Sequence, residues 1–476
     1  MAPATVHSKA TESLIQAALR GALTKAQARR LANEHPEVLA LALLAASKRI
    51  AELQGQYQSQ PTSPSTPSGM VPIYTKPNTP KRRKKPGAKK GHPGHRRKTP
   101  ERIDERETHR LKLCPCCGGP LQRCQRKRTR TIEDIPEEIE PVVTEHTIWR
   151  DYCPKCRKHV EPVVPDALPR ATIGHHLVSL TAWLHYGLGV TVDQIIDILG
   201  YHLQTELTPG GLINAWQRLS EILLAWYEQI AEEARHSAYL HADETGWRIN
   251  GQGCWLWCFA NDRNCYYTIE YCRGSPVVQE FFSEAFDGVL ITDFWAAYDS
   301  VDAADRQKCL PHLLRELEKV DKHNDSAEWQ AFAKKLRRLL RDGIRLRKCP
   351  DFAPKRYQGR IDRLNHRVGQ MACEEHTDAD ARRLTKRLRR YGEYIFTFLD
   401  YPFVAADNNF GERQIRPAVI LRKNSQSNRS DRGAATQSVL MSVYRTLRLR
   451  GHDPTKTITN ALKAYLTTGK LPPLPE

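Results

Sequence analysis

Two sets of side chains in this sequence have the types and spacings that do chemistry. The first is sulfur. Cys114, Cys116 and Cys117 stand in CPCCGG, and Cys153 and Cys156 stand in CPKC. A Cys-x-x-Cys pair offers two soft ligands on one tight turn, and two such pairs supply the four that a tetrahedral zinc site needs. Cys114, Cys117, Cys153 and Cys156 are therefore the candidate Zn²⁺ ligands. Glycine after the first pair lets backbone amides turn toward the sulfurs. Cys116 and Cys124 are bystanders in this reading, although Cys116 leaves a second register open within the first knuckle. The plain alternative is a set of buried free thiols. The gap between knuckles is longer than the commonest spacing, and the alternation in TRTIEDI and VVTEHTIW predicts a small β-ribbon inside it.

The second set is acidic. SAYLHAD and GVLITD are short apolar runs that end in Asp243 and Asp293. Adjacent strands ending this way would bring two carboxylates within a few ångströms. Such a pair repels itself, and a divalent cation relieves it. Oxygen ligands without a nearby His/Cys set favour Mg²⁺ or Mn²⁺. Two such ions can serve both the attacking and the leaving oxygen of a phosphoryl displacement. Glu244 adjoins Asp243, but alternation along a strand lets only one of the two face the site. Asp287 precedes a glycine and reads as a turn. For either strand-end acid alone, a cap or a solvated charge is the ordinary explanation.

A third acid comes much later. DNNFGERQIRP reads as a helix with Asp407 or Asn408 near its start, ending before Pro417. Asn408 and Glu412, four apart, share a face. Arg413 and Arg416 would flank it with positive charge suited to phosphate.

The elements that must position these residues follow from pattern. CWLWCFAN and CYYTIEYC are strands, PVVQEFFSEAF a helix, QKCLP a short strand and HLLRELEKV a helix. The order strand-strand-strand-helix-strand-helix predicts a ribonuclease-H-like α/β core with a mixed sheet, where functional groups gather at strand ends. Basic helical sequence at about 325–400 reads as an insertion whose faces could track DNA or simply be solvated. Upstream, residues 174–235 predict helices broken at Gly200 and at Pro209-Gly210-Gly211, either a DNA reader or plain packing units.

Charge points the same way. Lys and Arg number 73 against 54 Asp and Glu, a formal +19 with pI near 9.4, which implies a polyanionic partner. Ten of these basic residues lie between Lys81 and Lys98 with no acid among them. Arg82, Arg83, Lys84, Lys85, Lys89 and Lys90 are the candidate phosphate contacts of a flexible arm. No apolar run approaches the roughly 18 residues that cross a membrane, and the first residues carry no signal-peptide pattern. A cytoplasmic, nucleoid-associated protein is expected, with its 13 cysteines reduced.

The ordered set CPCCGG with CPKC, HADETGW, FDGVLITDFWAAY, KCLPHLLRE, DNNFGERQIRPAVILRKN and RGAATQSVLMSVYRTLRLRGHDP resembles the insertion-sequence-66 family of bacterial DDE transposases. The resemblance covers residues from about 81 to about 468. It implies a zinc-binding module, a ribonuclease-H-like core with a helical insertion, and Asp243, Asp293 and Glu412 as the metal-binding acids. It further implies cleavage at the ends of a mobile element and transfer of the freed 3′-hydroxyl to target DNA. A homo-oligomer on paired ends and accessory proteins of the same element would be its partners. Cys309 and His312 recur in several such groups and are assigned a structural role here.

The resulting layout is multidomain α/β. It has a helical segment at 1–57, a disordered basic linker at 58–100, a zinc-binding domain at 101–165 and a helical, possibly DNA-binding domain at 166–235. The catalytic core follows at 236–430 and a helical segment at 431–476. A nuclease without strand transfer and a catalytically inert zinc-dependent regulator are the alternatives.

Overall fold

The structure, a computed structural model, describes residues 100–122, 128–136, 139–349 and 353–476. The helix expected over 8–57, the linker and the basic arm from Arg82 to Lys90 lie outside these residues.

Five strands form the central mixed sheet: β3 (Tyr239–Ile249), β4 (Gln252–Ala260), β5 (Cys265–Glu270), β6 (Phe286–Thr292) and β7 (Ala303–Lys308). A short ribbon earlier in the chain supplies β1 (Asp151–Cys153) and β2 (Lys158–Val160). The sheet order is β5-β4-β3-β6-β7. β3, β4 and β5 form an antiparallel meander, while β6 and β7 run parallel to β3. The sequence order of strands and helices expected for the core is thus the order found.

Alternation gives the sheet two apolar faces. On one, Leu240, Ala242, Trp257, Phe259 and Leu290 meet Val278, Phe281 and Phe282 of a short helix, Ser275–Phe282. Phe259 and Phe281 stack at 3.9 Å between centroids. On the other, Trp247, Leu256, Cys258 and Tyr267 pack against two later helices, Asn409–Ser425 and Asp431–Leu449. The second of these also closes the sheet edge. Ser442 and Thr446 hydroxyls accept the N–H groups of Tyr267 and Cys265 at 2.9 and 3.0 Å, so edge donors of β5 do not invite another strand.

The upstream helices join that same core. Numbered in chain order, they are α1 (His175–Ala182), α2 (Val192–Leu203), α3 (Pro209–Ile222) and α4 (Leu224–Arg235). Trp216, Leu219, Trp226 and Ile230 are buried with the sheet and the C-terminal helices rather than in a core of their own. The break expected at Gly200 does not occur, because α2 runs on to Leu203 and ends at Gln204 in the left-handed region. The break at Pro209 does occur, with Thr208 capping Gly211 N–H at 3.1 Å.

The remaining helices are α5 (Ser275–Phe282), α6 (Leu310–Val320), α7 (Ala327–Arg347), α8 (Pro354–Cys373), α9 (Ala379–Tyr391), α10 (Asn409–Ser425), α11 (Asp431–Leu449) and α12 (Pro454–Thr468). α7, α8 and α9 are the helical insertion. Trp329, Phe332, Leu336, Leu364 and Leu388 bury against Leu313 and Leu317 of α6 and against Val289 and Ile291 of β6.

Two further expectations are corrected. Pro417 does not end α10, which continues to Ser425. Proline removes one backbone donor, but Ile415, Ala418 and Leu421 hold both halves of the helix in one core. The ribbon expected from TRTIEDI and VVTEHTIW is absent among the described residues. That stretch leaves Ile132, Ile135, Val142 and Val143 exposed, and pairing is confined to β1 and β2 around the second knuckle.

Candidate functional site

The three expected acids come from three elements. Asp243 lies within β3 rather than at its end, since β3 continues to Ile249 in its hairpin with β4. The parallel pairing to β6, however, stops at His241 opposite Ile291. Carried two residues further, the same register sets Asp243 level with Asp293, just past the end of β6. The two acids thus stand where the parallel strands part. Glu412 sits in the first turn of α10.

Asn408 fixes α10 over this point. Its side chain donates to the Ala242 carbonyl at 2.9 Å and bonds His241 Nδ1 through Oδ1 at 2.8 Å. Its backbone N–H points at Cys309 Sγ at 3.2 Å. Gly411 makes room, because a Cβ there would lie 2.8 Å from Asn408 Oδ1. Cys309 N–H in turn donates to Thr292 O, and Leu310 N–H to Ala406 O. Cys309 is therefore a buried junction of β6, α6 and α10, in keeping with the structural role expected for it. The burial that holds it pushes its thiol up to about 12. Burial also lowers His241, to about 4, so the group Asn408 grips is a neutral imidazole at physiological pH.

The acids share one electrostatic field. Burial holds the Asp243 carboxyl well above the usual carboxylate range, and the charges of Glu244, Asp293 and Glu412 push it the same way. Each acid is meanwhile engaged by a local donor. Asp243 Oδ1 accepts from Glu244 N–H at 3.0 Å and Asp293 Oδ1 from Trp295 N–H at 2.8 Å. Glu412 Oε1 accepts from Arg315 of α6 at 2.9 Å, with His312 Nε2 3.9 Å away. Among the described residues no three His, Cys, Asp or Glu side chains gather around one point in the manner of a closed metal site. Like charges without a cation stay apart, and this arrangement shows how each is held in the meantime.

Glu244 faces away from Asp243, as alternation requires. Its carboxylate is buried on Arg273 at 2.7 Å and accepts from the Tyr298 hydroxyl. The Arg273 guanidinium lies between the Trp255 and Trp295 rings, 4.4 and 3.9 Å from their centroids. Because the Trp295 backbone caps Asp293, this clamp ties the strand of the first acid to the loop of the second.

Lys308 is the residue that pattern reading missed. Its fully buried ammonium donates to Thr292 Oγ1 at 3.0 Å and to the Asp293 carbonyl at 3.1 Å, with Asp299 Oδ1 at 3.5 Å. Asp299 also accepts from Arg390 and Tyr391 of the insertion, at 2.6 and 2.7 Å. A lysine inside an apolar strand beside an acid-bearing one was the available signal. Lys308→Met leaves these acceptors short of a donor and is expected to destabilise the fold by about 3 kcal/mol, the range for breaking a buried ion pair. Denaturant unfolding against the native protein measures it. A loss under roughly 1 kcal/mol would mean that the buried charge does little.

Arg413 and Arg416 are both exposed on α10. Arg413 lies 5.7 Å from the Phe410 ring centroid rather than on the acids. Arg315, on the facing helix, is the arginine that reaches Glu412. It could have been found from its spacing of three from His312, which puts both on one face of α6.

The two cysteine knuckles are each formed. Cys114 and Gly119 are joined by a 2.9 Å backbone bond, Gly118 takes φ +71°, and Leu113 bridges Pro120. Cys156 N–H points at Cys153 Sγ at 3.4 Å, at the turn of the β1–β2 ribbon. Amides of Cys116 and Cys117 lower the Cys114 thiol, and the Cys156 amide lowers Cys153. These are the conditions that favour thiolate, the form that binds metal. The donor set fits zinc, although the structure does not draw the four sulfurs into one group.

The fold is thus a mixed α/β sheet that brings acids from two strands and a helix together beside a basic helical insertion. Comparison with known proteins identifies the class further. The profile of the family described as "Transposase IS66 family" matches residues 170–436, more than half of the chain. The chain belongs to this family of transposases. It is also similar to two uncharacterized proteins of Sinorhizobium fredii. It is 23% identical to y4jD over 409 residues, covering 75% of each chain. It is 25% identical to y4qI over 273 residues, covering 49% of each. No helix among the described residues is long and apolar enough to cross a membrane.

Proposed function

We propose that this chain is a DNA transposase of a bacterial insertion sequence. It binds the terminal repeats of its element and catalyses strand cleavage and strand transfer at a DDE centre on a ribonuclease-H-like core. The observation that carries the reading is the common field of Asp243, Asp293 and Glu412, three acids from separate elements that raise the carboxyl at the centre.

Asp243, Asp293 and Glu412 would hold Mg²⁺ or Mn²⁺. Such ions, when bound, lower the pKa of the attacking water and stabilise both oxygens of an in-line displacement. The chain's own residues do the rest. Asn408 and Cys309 orient α10 so that Glu412 faces the strand acids. Lys308 and the Trp295 amide fix the Asp293 loop. Arg315 holds Glu412 and is placed to exchange that carboxylate for a phosphate oxygen. One site can serve both hydrolysis and attack by the freed 3′-hydroxyl, so no covalent protein intermediate is needed. The partners are duplex DNA at element ends and target, a second copy of the chain on paired ends, and accessory proteins of the same element.

The test is a Mg²⁺-dependent reaction on DNA carrying the gene's own flanking sequence, comparing the native protein with Glu412→Gln. Cleavage and joining by the native protein alone support the reading. Equal activity from both would show that Glu412 is the wrong residue. Binding with no reaction from either would favour a regulator.

A further inference from the structure

The insertion carries a cleft that the catalytic reading does not use. It has a volume of about 470 Å³ and lies between α7 and α8, lined by Asp342 and Arg345 of the first helix and by Arg360, Arg363, Leu364 and Arg367 of the second. Four guanidinium groups thus face a single carboxylate. Asp342 binds Arg367 at 2.9 Å and stands 4.0 Å from Arg345, whose side chain is 76% exposed. The acid aligns these arginines and neutralises only one charge among them.

We propose that this cleft binds the phosphodiester backbone of duplex DNA. The chemistry favours phosphate, because arginine presents planar donor forks that match its oxygens. The spacing favours a polymer over a free ion. At 1.5 Å per residue, Arg360, Arg363 and Arg367 form a row of about 10 Å along α8. A free phosphate meets one end of such a row, whereas a nucleic-acid backbone meets all of it. The remaining lining side chains are aliphatic or thiol, Leu346, Leu364 and Cys349, and offer no aromatic face on which a base could stack. The contact is therefore with backbone and independent of sequence. It would anchor DNA on the insertion while the acids work elsewhere. This inference rests on the transposase reading for its ligand.

The experiment measures binding of a labelled duplex of unrelated sequence to the full chain across a salt series. It compares the native protein, R345Q/R363Q and, as a control on α12, K463Q. Each phosphate contact contributes about −0.9 to the slope of log K against log salt. The double variant is expected to bind about tenfold more weakly near 0.1 M salt, with a slope shallower by roughly two, while K463Q matches the native protein. Identical slope and affinity in the double variant would overturn the proposal. So would a variant that loses binding of inorganic phosphate but keeps its duplex slope, since the cleft would then be a small-anion site. Should the double variant melt early, hydrogen exchange of the native protein decides. Protection of residues 342–367 on adding duplex supports the cleft, and unchanged exchange there overturns it. Native protein that fails to bind duplex at all would instead refute the transposase reading.

Discussion

Asp243→Asn is expected to abolish both strand cleavage and joining and, at the same time, to raise the melting temperature of the metal-free protein. The two effects share one cause. Asp243 is a buried carboxyl whose ionised form is disfavoured by burial and by the charges of Glu244, Asp293 and Glu412. Its folded pKa therefore lies above its unfolded value. The native state holds the extra proton in that window, so stability without metal falls as pH rises from the ordinary carboxylate range through the raised value. Asparagine keeps the acceptor for Glu244 N–H and removes the charge. About 1 kcal/mol of relief shifts the melting temperature of a 150–250-residue domain by roughly 2–4 °C. The same charge is what a divalent ion needs. Metal contributes several kcal/mol of transition-state stabilisation, so a loss of at least about 10³-fold is expected in both steps. Mn²⁺ should stabilise the native protein thermally and leave the variant unmoved. A variant that melts below the native protein would show that Asp243 stabilises the fold, and one that still joins strands would remove it from the site.

The second large effect concerns sulfur. Purified protein should carry one zinc per chain, lost in Cys153→Ser and retained in Cys116→Ser. Apparent binding of structural zinc is worth about 10–16 kcal/mol, most of which appears as folding free energy. The only pairing in this region is the short β1–β2 ribbon and the bridge at Leu113 and Pro120, and several large apolar side chains there are exposed. Little else among the described residues of this region would hold it once metal is removed. A chelator is therefore expected to make residues 101–165 sensitive to protease while the sheet core stays resistant. Co²⁺ in place of zinc should give thiolate charge-transfer absorption. A metal-free protein with an unchanged digestion pattern would refute the assignment.

Much of this was legible in the sequence because the signals were local. Apolar runs such as GVLIT and CWLWCFA became strands, and the position of Asp293 followed from one of them. Asn408 and Glu412 could be placed on one helix face from their spacing alone. Where reading failed, tertiary packing had overridden a local rule. Pro417 and Gly200 lie inside helices because the residues around them are buried in a shared core. Asp243 read as a strand end because the buried hairpin partner of Trp247 and Ile249 is set by pairing with β4, which no single segment reveals. Lys308, Arg273 and Arg315 were not legible as site residues. Their roles depend on partners far along the chain, such as Asp299, Glu244 and Glu412. The alternation at 128–150 promised strands that lack any partner to pair with.

The most direct test of the central claim starts from DNA already cut at the element's end. A duplex with a free terminal 3′-hydroxyl and the flanking sequence of this gene is incubated with the native protein, Mg²⁺ and a supercoiled plasmid, and joined molecules are counted by sequencing across the junctions. The DDE reading predicts junctions between that 3′-end and plasmid DNA, lost with Asp293→Ala. Nicked or degraded DNA without junctions would contradict it and leave a nuclease, and junctions that persist with Asp293→Ala would place the chemistry outside the three acids.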